Sequence, residues 1–130
     1  MAAKSGTRAV LTGLVLAGSL LLQACAPIPR VIDTPKDGAQ VSLDLEQPMQ
    51  VRWSNMSPEH GAWALEGEPA KTVTLVGHTA QPAEGGALAL DVFDFVGAHR
   101  GVEQLTFVYK RKDGTPPRAD ERVTIELAVG

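Results

Sequence analysis

The sequence predicts an all-β fold, and three observations support this: apolar residues alternate with polar ones, turn residues separate the alternating segments, and no window shows convincing helical periodicity. Strict alternation is typical of half-buried strands, because successive side chains of a strand point to opposite faces of the sheet. Six or seven short segments of this kind fall within roughly 95 residues. Their number and spacing predict an immunoglobulin-like β-sandwich of six to seven strands.

The predicted strands follow one another as alternating, apolar or Val- and Thr-rich segments. In order they cover residues 41–45, 49–53, 71–76, 88–95, 105–109 and 123–129, with a further strand starting near Trp63. Gln47 and Pro48 mark a turn between the first two strands. Residues 113–117 separate the last two, because their glycine and paired prolines cannot continue a ladder. Trp53 lies on an alternating apolar face and is predicted to be in the core.

The segment 88–95 is largely apolar, but the alternation of apolar positions shifts by one residue between Val92 and Phe93. This shift predicts a bulge or bend there. Asp91 and Asp94 flank Phe93 and face opposite sides of the strand by parity, unless the bulge intervenes. An acid and base pair would need them together. The two carboxylates are therefore not predicted to act as one.

The N-terminal region has the pattern of an export signal. Lys4 and Arg8 form a short basic segment, residues 9–22 carry no charge, and Leu22-Gln23-Ala24-Cys25 follows. This stretch resembles a bacterial lipoprotein cleavage site. Residues 1–24 are therefore predicted to be a lipoprotein signal peptide, and Cys25 is predicted to carry a covalent lipid such as diacylglyceryl and to begin the mature chain.

Cys25 is the single cysteine of the 130 residues, and thioether lipidation would consume it without a disulfide partner. Two or more acyl chains hold a protein stably to a bilayer. Ala26, rather than Asp, follows the cysteine, and the resemblance then implies placement in the outer membrane of the bacterial envelope, facing the periplasm. Two other interpretations stay open: an uncleaved membrane helix, and a free buried thiol in a cytosolic protein.

The rest of the chain divides into a tether and one domain. Residues 25–36 contain three prolines and few core formers, which predicts an extended tether with little secondary structure. Residues 37–130 suit one small domain. From residue 25 onward ten basic residues face fifteen acidic ones, for a net charge of about −5, which argues against nucleic acid as a partner. The local basic residues are interleaved with acids, so a solvated mixed face is the first interpretation and a polyanion-binding patch the second. They are Arg100, Lys110, Arg111, Lys112, Arg118 and Arg122.

No catalytic or metal-binding pattern is found in the sequence. His60, His78 and His99 lie in three separate segments without short metal-ligand spacing. The Gly-x-Ser-x-Gly motif of a nucleophile elbow is absent, and no Gly-rich phosphate-binding loop occurs. The protein is predicted not to be an enzyme, to bind no metal, and to need no cofactor beyond the lipid on Cys25.

The order of residues in the second half of the domain resembles a known family. Phe93-x-Phe95, then Gly101, then Leu105-x-Phe107-x-Tyr109-x-Arg111 is similar to the C-terminal half of the chagasin family, protein inhibitors of papain-like cysteine proteases. Upstream, Gly38, Val41, Leu43, Val51 and Asn55 resemble the opening strands of that family. The resemblance covers residues 37–130 and implies a seven-stranded immunoglobulin-like sandwich.

The resemblance also implies that function lies in three loops at one end of the sandwich, over residues 54–63, 83–87 and 111–118. The candidate inhibitory residues are Asn55, Met56, Ser57, Pro58, Gly61, Trp63, Gly85, Gly86, Arg111, Lys112 and Asp113. The first loop is two residues longer than in the family, and Lys112-Asp113 replaces a family Pro-Trp, which removes stiffness and contact area. Weak, altered or absent inhibition is therefore expected. Trp63 either compensates at the loop edge or is a core residue.

Two functions remain from the sequence. The first is a membrane-tethered inhibitor of papain-like cysteine proteases, which acts non-covalently through the three loops. The alternative is an envelope lipoprotein that uses the same fold to bind another protein and does not inhibit. Asn55 and the Gly85-Gly86 pair favour the first function, whereas Lys112-Asp113 favours the second.

Overall fold

A computed structural model of the protein describes residues 27–69 and 71–130. The predicted signal peptide and the lipidation site Cys25 lie outside the described residues and stay predictions. Within the described ranges, no helix is long and apolar enough to cross a membrane.

The described part of the chain forms eight strands in two four-stranded sheets. The strands are β1 (Arg30–Asp33), β2 (Gln40–Leu43), β3 (Pro48–Asn55), β4 (Gly61–Leu65), β5 (Val73–Gln81), β6 (Ala89–Gly97), β7 (Gly101–Arg111) and β8 (Arg122–Val129). A short 3-10 helix, Ala119–Glu121, precedes β8. The strand order is β1-β3-β6-β5 in the first sheet and β2-β8-β7-β4 in the second. The predicted all-β sandwich is confirmed, with eight strands in place of six to seven.

The core lies between the two sheets, where the alternating apolar side chains meet. In β3 and β8 every second residue is buried, as the period of a half-buried strand requires. Trp53 is 1% exposed, so its predicted core position is confirmed. The buried cluster comprises Val41, Leu43, Met49, Val51, Trp53, Val73, Phe93, Phe95, Leu105, Phe107, Val123, Ile125, Leu127 and Val129.

The prediction of little secondary structure in the tether was wrong for Arg30–Asp33. These residues form β1, which pairs in parallel with β3 from Arg30 opposite Met49 to Asp33 opposite Arg52. The extended conformation that the neighbouring prolines favour is the one a strand needs. The pairing partner lies about twenty residues downstream, and the local sequence does not reveal it. The sandwich therefore begins at residue 30.

The predicted bulge in the segment 88–95 was also wrong. β6 keeps continuous register with β3, and its inner face carries Ala89, Asp91, Phe93 and Phe95 in strict alternation. The parity change seen in the sequence arises because Val92, on the other face, is buried too. The irregularity lies instead in the neighbouring edge strand β5, between Leu75 and Gly77. Bulges at sheet edges are common because they interrupt a free row of backbone groups.

Strand register brings three loops to one end of the sandwich. In the first sheet Asn55 is opposite Ala89, so the loop that follows β3 lies beside the loop that precedes β6. In the second sheet Gly61 is opposite Arg111, so the loop before β4 lies beside the loop after β7. From here on, the observed strand ends define the loops: the first loop is residues 56–60, the second loop is residues 82–88, and the third loop is residues 112–118.

Candidate functional site

The first loop is anchored by the buried side chain of Asn55, the last residue of β3. Its Nδ2 donates to the Gly61 carbonyl oxygen at 2.9 Å and to Asp91 Oδ2 at 3.2 Å. Its Oδ1 accepts from the Ser57 backbone N–H at 3.1 Å, which is the geometry of an Asx turn. One amide therefore ties the start of the loop to its end and to β6.

Tyr109 of β7 holds the middle of the same loop. Its hydroxyl donates to the Ser57 carbonyl oxygen at 3.0 Å. Burial raises the pKa of the Tyr109 phenol above its ordinary value. The loop lies against β7 because Gly61 has no side chain: a Cβ there would be 2.5 Å from the Lys110 carbonyl oxygen and 3.0 Å from the Tyr109 ring. Gly61 is thus required by close approach and not by backbone conformation.

The tip of the first loop projects into solvent. The His60 N–H donates to the Ser57 carbonyl oxygen at 2.9 Å and closes the turn. Met56, Pro58 and Glu59 are exposed, and Met56 is 82% exposed, the largest value among the exposed large hydrophobic residues. The loop consequently presents an apolar side chain on an anchored backbone.

The second loop contains a tight turn with two glycines at its tip. Glu84 and Ala87 exchange two backbone hydrogen bonds, at 2.9 and 3.3 Å. Gly85 and Gly86 between them have φ angles of +57° and +85°. Positive φ at both central residues is the mark of a type I′ turn, which glycine adopts without strain. Both glycines are exposed, so the tip is narrow and bare.

The third loop is held by charged groups. Arg111 Nη2, at the end of β7, lies 2.6 Å from Glu121 Oε2, and each side chain is less than one-fifth exposed. The hydrogen bond from Arg111 holds the pKa of Glu121 below its ordinary value. Asp113 Oδ1 accepts from the Thr115 N–H at 2.9 Å, which lowers the pKa of Asp113. This Asx turn and the ion pair stiffen the third loop at the position where the chagasin family has a Pro-Trp pair. Lys112 and Asp113 themselves are exposed.

The first and third loops are joined directly, because the Lys112 N–H donates to the His60 carbonyl oxygen at 2.9 Å. A cleft of about 320 Å³ lies where their bases meet, and its lining includes Ser57, Tyr109, Arg111 and Glu121. The first and third loops therefore form one connected surface rather than separate loops.

Trp63 lies on the core side of the site. It is half-buried in β4 and stacks on Trp53 of the other sheet, with ring centroids 4.2 Å apart and an interplanar angle of 17°. Its ring edge also meets Tyr109 at 5.9 Å. Of the two interpretations left open by the sequence, the core position is the one observed, although Trp63 also lines the cleft under the loop.

The candidate residues thus fall into three groups by position and exposure. Asn55, Gly61 and Trp63 support the first loop from within, whereas Met56, Pro58, Gly85, Gly86, Lys112 and Asp113 are exposed on the loops, with Ser57 and Arg111 half-buried between them. Sequence reasoning gave Asp91, Tyr109 and Glu121 no role at this site. For Asp91 a signal was available: in the alternating pattern it lies on the inward face of the strand, among apolar residues.

Within the described ranges, no group of three or more His, Cys, Asp or Glu residues is placed to hold a metal ion. His60 and His99 are exposed in turns, and His78 stacks on Phe93 with ring centroids 4.1 Å apart.

No protein-family model matches the sequence, and no curated protein matches it either. Solved structures do match. The cysteine protease inhibitor EhICP2 from Entamoeba histolytica aligns with a TM-score of 0.63 at 13% identity, over 78% of this chain and 95% of that chain. Amebosin aligns with a TM-score of 0.55 at 15% identity, over 81% of this chain and all of that one.

A third structure, PbICP-C solved in complex with falcipain-2, aligns with a TM-score of 0.53 at 12% identity, over 77% of this chain and 97% of that chain. The predicted resemblance to chagasin-type cysteine protease inhibitors is therefore confirmed at the level of the fold. EhICP2 is a cysteine protease inhibitor, which is consistent with the prediction that this chain is not an enzyme.

Proposed function

We propose that this protein inhibits papain-like cysteine proteases without covalent chemistry, by placing the anchored first loop in the protease cleft and the second and third loops against its walls. The observation that carries the proposal is the gathering of the three loops at one end, with the first held by Asn55 and Tyr109. A loop ordered before binding loses less entropy in the complex. The fold shared with cysteine protease inhibitors supports the same conclusion.

The exposed apolar residues at this end fit such a role. Met56 is 82% exposed and Leu88 is 53% exposed. Met56 directly follows Asn55, and Leu88 directly precedes Ala89. Asn55 and Ala89 are paired across β3 and β6, so continuing this pairing by one residue places Met56 opposite Leu88. An exposed apolar pair beside ordered backbone is the arrangement expected of an interface contact. We include Leu88 in the proposed inhibitory surface, which the sequence had not indicated.

The proposal includes a membrane tether through a lipid on Cys25, and it is supported by the signal-peptide pattern of residues 1–24. β1 shortens the tether, because the sandwich begins at Arg30 and leaves four residues, 26–29, between it and Cys25. At about 3.3 Å per extended residue, the domain would stay within roughly 20 Å of the bilayer surface. A target protease would then be met at the membrane.

Titration of papain and a cathepsin L-like protease with a soluble form covering residues 26–130 tests the inhibitory function. This form keeps β1, which a chain starting at residue 36 would lose. We expect competitive inhibition, together with direct binding to the protease that is lost when a bulky covalent inhibitor fills the active-site cleft beforehand. No inhibition of either protease at about 100 μM would contradict the proposal, and capture of a non-protease envelope protein by the same loops would favour the alternative interaction module.

Metabolic labelling with palmitate tests the tether separately. The full chain should incorporate label and partition into detergent, whereas Cys25→Ser should incorporate no label. Equal labelling of both chains would contradict lipidation at Cys25.

A further inference from the structure

Asp91 occupies an unusual place in the sandwich. It is 2% exposed on the inner face of β6, and it is the single charged residue of residues 27–69 and 71–130 that is buried. Its neighbours on that face are Ala89 and Phe93. A carboxylate between two sheets is strongly unfavourable unless donors compensate for lost water. The identity of those donors indicates what Asp91 does.

Both donors that converge on Asp91 come from the strands that flank the first loop. The Trp63 backbone N–H donates to Asp91 Oδ2 at 2.9 Å, and Asn55 Nδ2 donates to the same oxygen at 3.2 Å. Asn55 ends β3 and Trp63 is the third residue of β4. These strands belong to different sheets, so no ladder of backbone hydrogen bonds fixes their separation. One oxygen of Asp91 bridges Asn55 and Trp63, in addition to the direct hydrogen bond from Asn55 Nδ2 to the Gly61 carbonyl oxygen.

We propose that Asp91 is a positioning residue that sets the conformation of the first loop by clamping β3 to β4 across the two sheets. The clamp acts through Asn55, whose other contacts fix Ser57 and Gly61. The consequence for protease binding rests on the proposed function, whereas the ordering of the loop does not.

The chemistry of the clamp requires an acceptor. An apolar side chain at position 91 would leave the Trp63 N–H and one Asn55 N–H without their partner inside the protein, which is unfavourable for buried donors. An asparagine keeps one side-chain oxygen that can receive both donors. A serine hydroxyl is shorter and reaches at most one of them. The three substitutions Asp91→Leu, Asp91→Asn and Asp91→Ser therefore form a graded series.

Amide hydrogen exchange on the soluble form covering residues 26–130 tests this role. We expect Asp91→Leu to accelerate exchange at Ser57, His60 and Trp63 by at least about tenfold beyond the change at β8 amides, which report global unfolding. Asp91→Ser should give a smaller acceleration and keeps the test valid if the Leu variant does not fold. Asp91→Asn should restore most of the protection.

Thr72→Val is the matched control. Thr72 is a buried polar residue at the opposite end, and its hydroxyl donates to Glu103. Loss of this hydroxyl should alter global stability. The ratio of the amide exchange rates in the first loop to those in β8 should stay unchanged. Equal acceleration at the loop and at β8 in the Asp91 variants, or the same loop-specific acceleration in Thr72→Val, would overturn the positioning role.

Papain inhibition by the same variants separates the two proposals. If the wild type inhibits, Asp91→Ser should inhibit about tenfold more weakly and Asp91→Asn nearly as well as wild type. Unchanged inhibition by Asp91→Ser would overturn the role of the clamp in binding. If the wild type does not inhibit papain or the cathepsin L-like protease, the proposed function fails, and the exchange data still decide whether Asp91 orders the loop.

Discussion

The first and second loops lie side by side, yet they are ordered by different means. The first loop has buried anchors at its ends, Asn55 and Gly61, and the half-buried Tyr109 lies against its middle. The second loop is held by its own two-glycine turn, and no atom lies within 4 Å of a Cβ added at Gly85 or Gly86. The first loop therefore depends on the core for its shape, whereas the second depends on local backbone conformation.

This difference decides where substitutions are felt. A change in the packing under the first loop should move the loop and lower the stability of the sandwich together. A change at the second turn should be local, because nothing else rests on it. The following predictions test that contrast, starting with the largest expected effect.

Gly61→Ala should have the largest effect. The new Cβ would approach the Lys110 carbonyl oxygen to 2.5 Å, so β4 or β7 would have to shift. We expect a loss of about 2–3 kcal/mol in the free energy of unfolding, measured in urea, as for overpacked cores. Stability equal to wild type would show that the first loop does not rest on this close approach.

Gly86→Ala is the matched substitution in the second loop. Its φ of +85° is strained for alanine, although the site has room. We expect a loss of about 1 kcal/mol. Amide exchange at Ser57 and His60 should remain as in the wild type, and faster exchange at these two amides would contradict the independence of the two loops.

Tyr109→Phe should act on the first loop alone with a smaller effect. It removes the donor to the Ser57 carbonyl oxygen, which still accepts from the His60 N–H. We expect a loss of about 0.5–1 kcal/mol in unfolding free energy, with faster exchange at His60 and unchanged exchange at Ala87. Faster exchange at Ala87 as well would point to a global loosening instead.

Acidification should release the third loop. The pKa of Glu121 is lowered in the folded state by Arg111, so the ion pair stabilises the fold above the ordinary glutamate pKa of about 4.3 and is lost as pH falls through the lowered value. Between neutral pH and about pH 3, the urea midpoint should fall further for the wild type than for Glu121→Gln. Parallel curves for the two proteins would exclude a stabilising pair.

The alternation of apolar residues predicted most of the fold, because strand period and burial are properties of local sequence. β8 and the core position of Trp53 are examples. β1 was missed because four exposed or half-buried residues carry no alternating pattern, and their partner strand is distant in sequence. The bulge was misplaced because burial of Val92 on the outer face imitated a change of parity.

The candidate site was predictable where turn chemistry decides it and unpredictable where tertiary contacts do. The family resemblance placed Gly85-Gly86 in a loop, and the turn there follows from the ease with which glycine adopts a positive φ. The contacts of Asn55 with Asp91, and of Ser57 with Tyr109, span 36 and 52 residues. No local pattern indicates such partners. The sequence identified the residues of the first loop but not what holds them.

The most direct test of the proposed inhibitory end compares two exposed apolar residues at opposite ends of the sandwich. Met56 is 82% exposed on the first loop, and Val102 is 66% exposed near the start of β7. Papain inhibition constants should be measured for wild type, Met56→Asp and Val102→Asp, all in the soluble form covering residues 26–130. We predict inhibition weakened at least about tenfold by Met56→Asp and unchanged by Val102→Asp. Equal inhibition by all three proteins, or selective loss in Val102→Asp, would contradict the assignment of inhibition to the three-loop end.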